Sequence, residues 1–378
     1  MLAQTPPMGW NSWNTFGSNI NEQLIFEIAD AMVDKGYRDA GYEYLVIDDC
    51  WSCRERDRSG KLVADPEKFP HGMKYVADYV HSKGLKFGMY SAAGIMTCAG
   101  YPGSYGHEYQ DAHTFAEWGV DYLKYDLCHY PGSGDVRNSY LTMSMALRST
   151  GREILFAGCT CGTYDPWDWM RSIGAHMYRS HADITDEYEA FRYIAQTQLP
   201  NFKYSGPGCF NDMDMLVVGM GGEGNVSHTG GCTDEEYLMH FSLWCLWGTP
   251  LMMGADIRNV NEYCRNVMLN RELIALNQDP DARAPFYEEK QRYASKARMG
   301  LLKFLANGEI VIAYYNFDIN PLQVLLYFDD YGIPGGSNYG LELTDILTGE
   351  NIGVKFDCYN PTLPGRSFKI YKAKFVER

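Results

Sequence analysis

Up to about residue 280 the chain alternates between two hydrophobic patterns. Apolar and β-branched runs fall at residues 7–13, 44–50, 85–91, 120–128, 153–159, 176–183, 208–216 and 250–257. Most are separated by stretches whose apolar positions recur every three to four residues, the spacing of a helix with one buried face. In residues 22–35, Leu24, Ile25, Ile28 and Met32 keep that spacing, with Asn21 placed as N-cap and Gly36 as stop. A second such stretch covers 73–83 and ends at Gly84. A third opens at Thr233 with Glu236 three residues on, a capping box, and stays apolar to Gly248.

Strand-like runs alternating with helices in this way predict an α/β fold, a (β/α)8 TIM barrel over residues 1–280. A doubly wound sheet would usually need fewer strands and often a glycine-rich phosphate loop after the first. The chain has neither a GxGxxG after a strand nor a Walker loop. Beyond Asn277-Gln278-Asp279-Pro280 the runs shorten, to 301–305, 309–316, 323–329, 341–346 and 368–375, between Gly, Pro and Asn turns. That pattern predicts a C-terminal antiparallel β domain over residues 281–378.

Composition narrows the function classes. Hydrophobic residues are 46% and charged residues 21% of 378, ordinary globular usage that excludes a disordered or fibrous chain. The net charge of −15 repels phosphate backbones, so no nucleic-acid partner is expected. No apolar run approaches the roughly 18 residues that span a bilayer, so no membrane partner is expected. The start, Met1-Leu2-Ala3-Gln4-Thr5-Pro6-Pro7, has neither a basic nor an apolar leader region. It reads as cytoplasmic, or as a secreted protein already trimmed. The 11 cysteines are an odd number for a disulfide framework, and a cytosolic setting predicts mostly free thiols. Homo-oligomer formation stays open.

In a barrel of this kind, chemistry collects at the C-terminal ends of the strands. There the second run carries Asp48 and Asp49, the fourth Lys124 and Asp126, the sixth Arg179 and Asp183, and the seventh Asp212 and Asp214. A ring of carboxylates suits either a divalent metal or glycoside hydrolysis, which needs two carboxyls flanking the bond. The histidines form neither an HxH nor an HExxH pair, and Lys124 and Arg179 would oppose a metal. Trp10, Trp13, Trp51 and Tyr90 at the same ends offer faces to a sugar ring. The balance favours a carbohydrate substrate with no metal and no cofactor.

The same residues carry a resemblance. Pro6-Pro7-Met8-Gly9-Trp10-Asn11-Ser12-Trp13, Ile47-Asp48-Asp49-Cys50-Trp51, Thr97-Cys98-Ala99-Gly100, Gly119-Val120-Asp121-Tyr122-Leu123-Lys124-Tyr125-Asp126 and Asn211-Asp212-Met213-Asp214-Met215-Leu216 resemble glycoside hydrolase family 27. That family holds α-galactosidases and α-N-acetylgalactosaminidases. The resemblance implies a barrel followed by a β-sandwich-like domain and a retaining exo-α-galactosidase acting by double displacement. It implies Asp126 as nucleophile and Asp183 as general acid/base. Asp48 and Asp49 match the pair that holds O4 and O6 of galactose, Lys124 a sugar ligand beside the nucleophile, and Arg179 a ligand near O2. Trp13 and Tyr90 match wall aromatics, and Asp214 and Met215 residues behind the acid/base. Cys98 and Cys128 match a pocket pair that is a disulfide in secreted members. The charge of Asp126, with burial, is expected to raise the pKa of Asp183 and keep it protonated.

The loop after the fifth run departs from the family. Galactosidases there read Cys-Glu-Trp, whereas this chain has Cys159-Thr160-Cys161-Gly162-Thr163. Smaller side chains leave room at C2, so Cys159 and Thr160 are expected to face the sugar. An α-N-acetylgalactosaminidase is therefore an alternative. A sugar-binding barrel without catalysis and a metal-dependent hydrolase are two others. The spacing of Cys159 and Cys161 is poor for zinc without a second pair of ligands. His181 reads as structural, and Cys50 and Cys53 as two buried thiols.

Overall fold

The computed structural model describes residues 2–132, 134–286 and 296–377. Strands β1 (Met8–Asn11), β2 (Tyr44–Val46), β3 (Lys86–Ala92), β4 (Tyr122–Asp126), β5 (Leu155–Cys159), β6 (Met177–Arg179), β7 (Phe210–Asp212) and β8 (Leu251–Met253) form one parallel sheet, in the order β7-β6-β5-β4-β3-β2-β1-β8. Its two edges meet through Leu216. The Leu216 N–H donates to Met252 O at 2.8 Å, and the Gly254 N–H donates to Leu216 O at 2.9 Å. The expected (β/α)8 barrel is thus present, closed by the residues just beyond β7. Every strand but β3 is shorter than its apolar run, because the runs extend into the loops at the strand ends.

Helices α1 (Trp13–Phe16), α2 (Glu22–Asp34), α3 (Gly72–Ser82), α4 (Glu108–Trp118), α5 (Val136–Ser149), α6 (Pro166–Trp169), α7 (Tyr188–Thr197), α8 (Asp234–Trp247), α9 (Glu262–Met268) and α10 (Arg271–Asn277) cover the barrel's outside and its loops. Asn21 caps α2, accepting from Leu24 N, and Thr233 with Glu236 makes the full capping box of α8. Strand alternation sorts the core into two layers. Tyr44, Val46, Tyr122, Leu155, Ala157, Met177 and Met252 fill the barrel interior. Leu45, Leu123, Tyr125, Phe156 and Tyr178 turn outward into the layer beneath the helices. Lys124 and Asp126 follow Tyr122 in steps of two, so the period that buries Tyr122 aims both charged groups along the barrel axis.

Beyond the barrel, β9 (Arg298–Phe304), β10 (Ile310–Asn316), β11 (Leu322–Gln323), β12 (Tyr339–Asp345), β13 (Asn351–Lys355), β14 (Thr362–Leu363) and β15 (Ser367–Glu377) follow. Five of them make an antiparallel sheet, β13-β12-β15-β10-β9, and β11 pairs with β14. The strand expected at 323–329 is mostly absent. After Gln323 the chain turns into a short 3-10 segment at Phe328–Tyr331, which buries Phe328. Strand β13, rich in polar residues and glycine, had no apolar signature.

β10 is buried along its whole length. Ile310, Ile312 and Tyr314 pack into the small core of this domain, whereas Val311, Ala313 and Tyr315 pack against the barrel's helices. Helix α8 is apolar on all sides because it lies between the two layers, as an all-round apolar helix must. Its Ser242 hydroxyl lies 3.1 Å from Tyr315 OH. Lys303, fully buried on β9, donates to Leu246 O at 3.2 Å and Leu276 O at 2.9 Å, near the C-terminal ends of α8 and α10. Burial pulls its pKa down to about 8. Replacing it by Met strands two buried carbonyls. Lys303→Met is expected to cost about 1–3 kcal/mol and lower Tm by a few degrees in thermal denaturation, with kcat unchanged. An unchanged Tm would show that Lys303 does not tie the layers together.

No helix among the described residues is long and apolar enough to cross a membrane.

Candidate active site

The C-terminal ends of the barrel strands surround a cavity. Trp13, Asp48, Asp49, Tyr90, Cys98, Lys124, Asp126, Arg179, Asp183, Asp214 and Met215 all line it, as the sequence places them. Asn14 and Val226 complete the wall.

On the β1–β2 side, Asn11 organises the wall. Its Nδ2 donates to Asp48 Oδ2 at 2.7 Å, and its Oδ1 accepts from Trp13 N at 2.9 Å. Asp48 also accepts from Lys124 Nζ at 2.8 Å and from the Asp49 N–H at 2.9 Å. Asp49 accepts from Cys50 N and from Ala99 N, so the loop carrying Cys98 is tied to it. Burial raises the pKa of Asp49 even against those bonds. Both aspartates are 2% exposed.

Asp126 sits at the end of β4. Its Oδ1 accepts from Leu127 N at 2.8 Å and its Oδ2 from Tyr90 OH at 3.1 Å. Lys124 lies over the Tyr90 ring, 5.3 Å from its centroid. Burial alone would lower the lysine's pKa, but Asp48 and Asp126 outweigh it and hold the ammonium charged. Cys98 and Cys128 form a disulfide, with Cys98 Sγ 4.0 Å from Asp126 Oδ2. Cys98 faces the cavity and Cys128 stands behind it, its Sγ 3.8 Å from Tyr90 OH.

Arg179, 5% exposed at the end of β6, joins the opposite carboxylates. Its Nη1 lies 2.9 Å from Asp214 Oδ1 and its Nη2 2.8 Å from Asp183 Oδ1. The Asp183 side chain is 72% exposed at the mouth. This corrects the expected pKa of Asp183. The Arg179 charge, ahead of burial, holds its carboxyl below the usual range, so it is a carboxylate rather than a standing acid. Asp214 accepts from Ile184 N at 2.7 Å, and burial raises its pKa despite Arg179.

Three features differ from the sequence reading, and His181 agrees with its structural one. Thr160 does not face the cavity, because its hydroxyl donates to Thr163 O at 2.7 Å within its own loop. Cys159 lines a second, deeper space inside the barrel, which Lys124, Arg179 and Asp214 share. Trp10 and Trp51 are core residues: Trp10 Nε1 donates to Ala255 O, and Trp51 stands edge-on to Phe115 and Trp118. His181 packs its ring on Tyr193 and takes no bond from Asp183.

The sequence reading left Asn11, Asn14, Asp212 and Val226 without roles. A polar residue ending the first apolar run could have flagged Asn11. Asp212 lines the deeper space, where burial pushes its pKa up to about 6. Asn14 Nδ2 is buried, faces the cavity and has no partner among the described residues. Val226 arrives on a glycine-rich segment pinned by Asp186, which accepts from Gly222 N, Ser227 Oγ and Tyr237 OH.

The family model described as alpha galactosidase A matches residues 5–279. An alpha-galactosidase A from Cellvibrio japonicus (strain Ueda107) is 47% identical over 289 residues, 74% of this chain and 68% of that one. An alpha-galactosidase from Cyamopsis tetragonoloba is 50% identical over 279 residues, 74% of this chain and 65% of that one. The chain thus spans about two thirds of the length of these relatives. The crystal structure of α-galactosidase I from Mortierella vinacea superposes with a TM-score of 0.90 at 32% identity, covering 100% of this chain and 98% of that one. A match that runs through the barrel and takes in every strand end described above has one consequence: the chain belongs to the α-galactosidase family, glycoside hydrolase family 27.

Proposed function

We propose that this protein is a retaining exo-α-galactosidase that releases terminal α-linked galactose by double displacement. One observation carries the reading: Asp126 and Asp183 project into one cavity whose far wall is the buried pair Asp48 and Asp49. Two carboxyls for the bond and two more for hydroxyls is the demand of a retaining glycosidase selective at C4.

The residues would act as follows. Asp126 attacks the anomeric carbon as the bond to the leaving oxygen breaks, and Asp183 delivers a proton to that oxygen. Tyr90 OH and Leu127 N–H hold the Asp126 carboxylate in one orientation. Forming the ester removes the charge of Asp126. Asp183 then accepts a proton from water as that water attacks the same carbon, and galactose leaves with its configuration retained. Because Arg179 holds Asp183 ionised, the acid form must be made as substrate binds. A sugar hydroxyl engaging Arg179 and the expulsion of water both act in that direction.

Asp48 and Asp49 would select galactose. Their axial-O4 site leaves a buried carboxylate unpaired when the hydroxyl is equatorial. For 4-nitrophenyl α-glycosides, kcat/KM is expected to be on the order of 10⁴-fold higher for galactose than for glucose. The N-acetylgalactosaminide should also be the poorer substrate, since Cys161 stands beside Asp183 where the small loop seemed to leave room. Preference for the acetamido sugar would overturn this reading by one substituent.

A further inference from the structure

Two thiols stand beside the catalytic carboxyls with no part in the chemistry above. Cys161 is left-handed at φ +48 and half-buried, just beyond β5. Gly162 follows it at φ +79, where a Cβ would meet Ser180 O at 2.6 Å, so the loop is pressed against the end of β6. That turn brings Cys161 Sγ to 3.7 Å from Cys159 Sγ and 3.9 Å from Asp183 Oδ1. A carboxylate oxygen of Asp126 and both sulfurs lie within 4.8 Å of one another.

These separations are those of a coordination shell. A tetrahedral zinc ion with Zn–S bonds of about 2.3 Å sets its two sulfurs about 3.8 Å apart. With Zn–O near 2.0–2.2 Å, a sulfur and an oxygen on the same ion lie about 3.5 Å apart. The third ligand that the Cys-x-Cys spacing lacks in sequence is supplied by Asp126, which leaves the fourth position of a tetrahedral ion open, as in sites with three protein ligands. The nearby cations do not fill the space, since Lys124 is bound to Asp48 and Arg179 to Asp214 and Asp183. Positive charge also favours the thiolate that a metal requires.

We propose that Cys159, Cys161 and Asp126 form a chelating site for a zinc-like divalent cation, and that its occupation reversibly shuts the enzyme. Binding exchanges the thiol protons for the metal and releases them to solvent, with no change of oxidation state. The ion occupies the nucleophile Asp126, so galactose and metal exclude each other.

Two measurements test this in the whole protein. First, initial rates on a nitrophenyl α-galactoside are taken with zinc chloride. Inhibition should be competitive with substrate and reversed by a chelator. In Cys161→Ala it should weaken at least roughly tenfold, judged against that variant's own zinc-free rate, since losing a ligand costs no less than losing a supporting contact. Second, cobalt(II) is titrated in place of zinc. A thiolate-to-cobalt charge-transfer band should appear, fade when galactose is added, and be absent in Cys161→Ala. No band, a band that survives in Cys161→Ala, or equal zinc inhibition of both proteins would overturn the proposal. The cobalt band does not depend on turnover, so failure of the galactosidase reading and failure of the metal site are told apart.

Discussion

Asp126→Ala lowers kcat on α-galactosides by on the order of 10⁴-fold or more, the scale of losing a covalent nucleophile. Added azide should restore turnover, because the missing carboxylate leaves room for a small anion on the face it attacked from. The product should be β-galactosyl azide, since a single displacement inverts the centre. Folding should not suffer. Six carboxylates, Asp48, Asp49, Asp126, Asp183, Asp212 and Asp214, crowd two cations, Lys124 and Arg179, at this end of the barrel. Removing one acid relieves repulsion, so the variant should unfold at the same temperature or higher in calorimetry. An α-configured azide product, or activity within tenfold of the parent, would remove Asp126 from the role of nucleophile.

Asp183→Ala should act differently on the two half-reactions. An activated nitrophenol leaves without help, so the first step on that substrate survives. Departure of a sugar needs the proton, so kcat/KM on a disaccharide should fall by roughly 10²–10⁴-fold, the usual worth of a general acid. Azide should rescue this variant with an α-galactosyl product, formed by two inversions. The pH profile supplies the sharper test. Asp183 donates a proton, so activity is lost as pH rises through its pKa. Arg179 lowers that pKa in the free enzyme, which governs kcat/KM, whereas bound substrate raises it in the complex, which governs kcat. The alkaline limb of kcat/KM should therefore lie at lower pH than that of kcat, and both limbs should vanish in Asp183→Ala. Coincident limbs in the parent would mean that the Arg179–Asp183 pair persists in the complex.

Particular residues mark how far the sequence could be read. Asn21 and the Thr233–Glu236 box were legible because capping is a local contest for backbone N–H groups. The barrel strands were legible because parallel strands buried on both sides leave continuous apolar runs. β13 was not, since an edge strand beside solvent can be polar and keep its pairing. Trp10 and Trp51 were misread for the converse reason. An aromatic at a strand end can face the pocket or the helix layer, and the strand's alternation and the following loop decide which.

Chemistry divides along the same line. Lys124 and Asp126, two apart on one strand, and the acidic strand ends were fixed by local order, because period-two alternation and barrel topology point them to one place. What depended on distance in sequence came only from the tertiary structure. Asn11 reaches across to Asp48, and Cys161 is carried to Asp183. The ionisation of Asp183 belongs with these. Its sequence neighbours allow a raised or a lowered pKa, and the sign was set by which charge lay closer. A guanidinium 2.8 Å away decided it, because Coulomb interactions depend on separation and burial, which a linear sequence does not contain.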